Sequence, residues 1–147
     1  MSNRVPVPVG QRRLATAWFV GSGLVFLLLV VQSLNGHYGD KTSEAWGWFL
    51  PTVMPTLTLI TGAIAVTRPE SPATVGRFAY HLSFWLSVFY LVLVIATIMY
   101  QPFAGLKPSE MIEFMRTSNL WLGAVQTLLG ISLGVFFGTR KSGGSAG

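Results

Sequence analysis

FAYHLSFWLSVFYLVLVIATIMY, residues 78–100, is the stretch whose reading decides the fold. It contains no Asp, Glu, Lys or Arg. About 20 residues rising ~1.5 Å each cross a hydrocarbon core ~30 Å thick, so the stretch is long enough to span a bilayer as a helix. Within it Tyr80, Ser83, Ser87, Tyr90, Val94 and Thr97, and Gln101 just beyond, recur at alternating three- and four-residue steps. That spacing projects onto one narrow stripe of a helix. Hydrogen-bonding groups are costly against lipid, so the stripe is expected to face a bundle interior, another subunit or water. Interhelical bonding is its plainer use, and lining a narrow aqueous path is the sharper one.

Three further runs without acidic or basic residues lie at 14–34, 48–66 and 120–138. The expected fold is therefore all-α: a four-helix, up-down-up-down transmembrane bundle over residues 14–138. An amino-terminal segment, 1–13, and a flexible Gly/Ser tail, 139–147, flank it. A soluble bundle would need helices with a charged face, whereas this chain is 51% hydrophobic and 10% charged and none of the runs has one.

Charge orients the bundle. With the amino terminus in the cytoplasm, Arg4, Arg12, Arg13, Arg68, Arg77, Arg140 and Lys141 lie inside. Only Lys41, Lys107 and Arg116 lie outside, with four of the five acids. This is the positive-inside pattern, with both termini cytoplasmic in a multi-pass protein of the plasma or bacterial inner membrane. The net charge of +5 does not imply nucleic acid, because the basic residues sit at span ends rather than in one patch. The first run is longer than a signal-peptide core and lacks a small-x-small cleavage site, so it reads as a retained anchor.

Several local features predict backbone behaviour. Val5–Gly10, with Pro6 and Pro8, should be extended, and the loop from Thr67 to Arg77 should be a tight turn. In the second span Pro51 is expected in the first helical turn, while Pro55 should kink the helix and free the carbonyl of Pro51. Pro51 and Pro55 thus mark a packing kink or a hinge. Ala17 and Gly21 form a small-xxx-small step that permits close helix approach. In the fourth span Gly123, Thr127, Gly130, Gly134 and Gly138 share one face, which is expected to pack against protein, in the same bundle or across an oligomer contact. Val125, Leu129 and Phe136 cover the opposite face. The outer loop 101–119 is expected to hold a short helix capped by Ser109, with Glu110 and Glu113 in its first turn and Met111, Phe114 and Met115 on one face, lying flat on the membrane surface or docked across the bundle mouth.

The chain has no cysteine, and its two histidines, His37 and His81, are far apart. A metal site or cofactor is not expected, and no nucleophile–base pair or phosphate-cradling glycine loop occurs. His81 reads as an interfacial residue. The spans hold neither an ion-coupling glutamate nor a redox cysteine pair. These absences point to a non-enzymatic membrane protein that acts through helix–helix assembly, as a membrane-perturbing or pore-type homo-oligomer or as an anchor for a partner subunit. The alternative is a small-molecule or lipid transporter with its site between the second and third spans.

Overall fold

The computed structural model describes residues 4–65 and 74–138, with side chains for 9–65, 77–100 and 103–136. Strand β1 (Arg4–Pro6) leads into helix α1 (Val7–Leu34), and a 3-10 turn (Gly39–Lys41) leads into α2 (Thr42–Ala65). Strand β2 (Thr74–Gly76) leads into α3 (Arg77–Ala104), followed by α4 (Pro108–Gly138). All four helices are long and apolar enough to cross a membrane. Large apolar side chains such as Phe19, Leu27, Phe89 and Ile131 point outward, as lipid-facing surfaces require.

The helices form a ring in the order α1, α2, α4, α3. Gly10 meets Tyr80, Trp18 meets Tyr90 and Gly21 meets Leu91, so α1 and α3 run parallel. Ser83 meets Ser132 while Tyr100 stacks on Phe114, so α3 and α4 run antiparallel. Direction thus alternates along the chain, but the consecutive helices α2 and α3 lie across the diagonal rather than side by side. Residues 66–73 between them are not among the described residues, so the tight turn expected at 67–77 lies mostly outside those described.

Four local expectations need correction. Only Arg4–Pro6 is extended, paired antiparallel with Thr74–Gly76, while α1 already begins at Val7. Pro8 is tolerated there because a first-turn residue has no intrahelical acceptor for its N–H. Pro51 is not in a first turn: α2 starts at Thr42 and carries both prolines in its interior. The outer segment 101–119 is not a long loop with its own surface helix. Helix α3 continues to Ala104, and Gly105 turns the chain at φ 61°.

Helix α4 then starts at Pro108, and Ser109 does not cap it. Glu110 Oε2 instead accepts the backbone N–H of Lys107 at 3.0 Å, one half of a capping box, with Pro108 as first helical residue. Met111 and Met115 are consequently buried in the core rather than laid on a membrane surface.

The small step on α1 is a site of close approach. A Cβ on Gly21 would lie 2.7 Å from Leu91 Cδ1, so a larger residue there requires the Leu91 side chain of α3 to shift. Between lipid-soluble helices such packing supplies the attraction that the hydrophobic effect supplies in water.

Candidate functional site

The stripe on α3 lies inside the bundle. Ser83, Ser87, Tyr90 and Val94 are fully buried, and Tyr80 and Thr97 are nearly so. Gln101 belongs to α3, but its side chain lies outside those described. The hydroxyls are used as follows. Ser83 Oγ donates to the carbonyl of Ser132 on α4 at 3.1 Å. Ser87 Oγ and Thr97 Oγ1 turn back onto their own helix, donating to Ser83 O at 2.7 Å and Leu93 O at 2.8 Å. Tyr80 packs its ring against Phe84 and Phe136.

Tyr90 is the member with the longest reach. Its ring lies 5.9 Å from that of Trp18, and its hydroxyl crosses the diagonal to donate to Thr52 O at 2.8 Å. The same carbonyl accepts from Gln126 Nε2 of α4 at 3.5 Å. Thr52 is the residue after Pro51 and three before Pro55, in the part of α2 where the prolines remove N–H donors. A carbonyl in this disturbed turn thus draws bonds from two other helices, one residue on from the Pro51 carbonyl that the proline spacing points to. Thr52 Oγ1 donates back to Trp48 O at 2.6 Å, reinforcing the same turn. Pro51 and Pro55 themselves are exposed, on the outer side of α2.

Two buried polar atoms near this crossing, Trp18 Nε1 and Ser22 Oγ, have no hydrogen-bond partner among the described residues. They lie one turn apart on α1. An unpaired buried polar atom is uncommon, and a pair of them leaves the bundle centre with unused hydrogen-bonding capacity.

A second polar tie closes the end of the bundle where α1 finishes. Tyr38 donates to Gln32 Oε1, and Gln32 Nε2 donates to Ile98 O on α3 at 3.3 Å. Burial pushes the Tyr38 phenol up to about 12, so it keeps its proton and its donor role. Trp48 Nε1 donates to Ser118 Oγ at 3.2 Å, joining α2 to α4 at the same end. His81 is exposed and holds the Arg77 carbonyl with Nδ1 at 2.7 Å, a local bond within its own helix.

The glycine face of α4 is turned the other way from the core. Thr127, Gly130 and Gly134 are exposed, and Gly123 is half-buried. A Cβ built on Gly123, Gly130 or Gly134 would meet nothing within 4 Å. A packing partner within the same bundle is therefore not what this face has. Leu129 and Phe136 on the opposite face are buried, and they fill the space between α4 and its neighbours. Gly138 ends the helix at the edge of the described residues. Beside this face α2 presents Gly47, Pro51, Pro55, Thr58 and Gly62, all exposed and at three- and four-residue steps. At its start the α2 stripe meets α4 one turn ahead of Gly123, since Gly47, Arg116 and Asn119 line one cavity of about 240 Å³ between the two helices. A low, smooth strip thus runs down the α2/α4 side of the bundle. The glycine spacing alone does not reveal its breadth, because the α2 half is made largely of prolines and threonine.

No protein-family model, curated protein or solved structure matches this chain. Its own geometry is what a functional reading rests on.

Proposed function

We propose that this chain is a non-enzymatic multi-pass membrane protein that works through helix–helix assembly, with both termini in the cytoplasm of a cell bounded by a plasma or inner membrane. The observation that carries the reading is the smooth α2/α4 strip. Helix backbones in lipid associate where small residues let them approach, and here glycines with open space above them lie outside the bundle. A second copy of the chain is the occupant favoured by this surface, since the parallel α2/α4 pair can meet its own copy about a two-fold axis along the membrane normal. A membrane partner that uses the chain as an anchor is the other occupant.

The test is the oligomeric state of Gly130→Leu/Gly134→Leu. Both side chains enter open space, so the bundle should keep its thermal midpoint in detergent. Self-association in lipid nanodiscs, read by cross-linking, should be lost. A wild-type chain that is monomeric at every lipid-to-protein ratio removes the homo-oligomer. A variant that self-associates as well as wild type removes the strip as its basis. The orientation has its own check: a reporter fused after residue 147 should read as cytoplasmic, and an external signal would reverse the topology.

A second reading, transport of a small polar molecule or lipid past the second and third spans, draws on the unpaired Trp18 Nε1 and Ser22 Oγ beside Tyr90. It requires water or solute to reach the bundle centre. Aqueous labelling of a cysteine placed at Ser87 separates it from the assembly reading.

A further inference from the structure

On the side of the bundle away from the α2/α4 strip, α1 and α3 border a groove of about 630 Å³ that is open to the outside. Its wall is apolar, formed by Val20, Gly21, Leu91, Val92 and Ile95 among others, and its mouth holds Arg12 and Arg13. The hydroxyl of Thr16 is turned back onto the Arg12 carbonyl at 2.9 Å, which leaves Arg12 and Arg13 as the charged residues of the lining. Both arginines are exposed, and neither has an ion-pair partner among the described residues.

The dimensions fit one kind of occupant. Arg12 to Gly21 on α1, and Phe84 to Ile95 on α3, each run about 14–16 Å at ~1.5 Å per residue. That is the depth of one leaflet, half of a hydrocarbon core ~30 Å thick. The charge stands at one end and the hydrocarbon wall occupies the rest, the division found in a phospholipid. In the orientation proposed above, the arginines face the cytoplasmic leaflet, where anionic lipids give the surface its negative potential. The groove between α3 and α4 is a useful contrast: about 440 Å³, walled by Leu82, Leu86, Ile131 and Val135, it has no charged residue in its lining. We infer that the α1/α3 groove is a binding site for one anionic phospholipid of the inner leaflet. Arg12 and Arg13 take its phosphate, and an acyl chain lies along Val20, Gly21 and Val92. The site is independent of the assembly surface, so either proposal can fail alone.

The experiment is native mass spectrometry of the full chain in detergent, with dioleoyl phosphatidylglycerol or dioleoyl phosphatidylcholine added at equal concentration. Wild type should retain the anionic lipid in preference to the zwitterionic one by roughly tenfold, the order two arginines near an anionic headgroup supply. Arg12→Gln/Arg13→Gln should erase that preference. Val92→Trp, which fills the groove from an exposed position without touching either arginine, should lower retention of the anionic lipid as well. Lys107→Gln/Arg116→Gln removes the same charge elsewhere and should leave the preference intact.

No preference in wild type overturns the proposal, and so does an equal loss in the Lys107/Arg116 control, which would mean bulk electrostatics. Unchanged retention in Val92→Trp overturns the acyl groove. Inorganic phosphate that raises the thermal midpoint as far as the anionic lipid does would assign the arginines to free phosphate and overturn the lipid.

Discussion

Tyr90→Ala should destabilise the bundle by about 3–5 kcal/mol, a larger effect than substitution at any other position on the α3 stripe. The side chain is fully buried, stands against Trp18, and carries the hydrogen bond to Thr52 O. Removing it opens a void between α1 and α3 and cuts the link from α3 across the diagonal to α2. In lipid the loss comes from forfeited dispersion contacts more than from hydration, because the cavity has no atoms to replace the ring. Tyr90→Phe isolates the hydroxyl. It keeps the ring and gives up one hydrogen bond, at about 1 kcal/mol. Gln126 still reaches the Thr52 carbonyl, which limits that cost. Unfolding in a graded detergent mixture measures both. An alanine variant within about 1 kcal/mol of wild type would mean that Tyr90 does not hold the diagonal.

Ser87→Leu should cost about 1–3 kcal/mol, because the site has no exposed surface and an added branched side chain must push α3 from its neighbours. The companion variant, Ser87→Cys, is close to isosteric and should fold normally. The chain has no native cysteine, so any thiol signal belongs to position 87. A small aqueous thiol reagent should leave it unlabelled in the membrane, since the native hydroxyl is turned onto the Ser83 carbonyl and is shut off from the outside. Rapid labelling would show water at the centre of the bundle and would favour the transport reading over assembly. A tolerated leucine would contradict the packing at Ser87 outright.

The parts of this fold that can be read in the sequence are those where a rule of spacing meets a strong penalty. Ser83, Ser87, Tyr90 and Thr97 fall on one stripe because polar groups in hydrocarbon have few acceptable directions, and the stripe they form is buried. Of the Ala17/Gly21 step, Gly21 sits against the Leu91 side chain, and both residues border the α1/α3 groove. Rules of propensity carry less. What proline and serine do at an average helix end misplaces Pro8, Pro51 and Ser109, because the helices start elsewhere, at Val7, Thr42 and Pro108. The facing of α4 is the least legible feature. In water, apolar residues choose the inner face; in lipid both faces are apolar, and side-chain volume decides. Leu129, Leu133 and Phe136 fill the interior, which leaves the glycines outside. The bonds from Tyr90 and Gln126 to Thr52 cannot be read at all, because nothing local to any of the three residues says that α2 and α3 sit across a diagonal.

The short ribbon at the start of α1 and α3 bears on how the protein is made. Arg4 pairs with Gly76 and Pro6 with Thr74, so residues 4–6 find their partners only after α2 has been synthesised. At about 5–20 residues per second that interval is several seconds. During it α1 and α2 must reside in the bilayer as a hairpin without α3. The Gln32 amide still lacks the Ile98 carbonyl, and the Thr52 carbonyl still lacks Tyr90. The nascent hairpin is thus a species with unmet polar demand in a solvent that cannot meet it, and arrival of the third helix discharges that demand at both places. Quality control that recognises polar groups stranded in lipid would act in this window, before the ribbon closes.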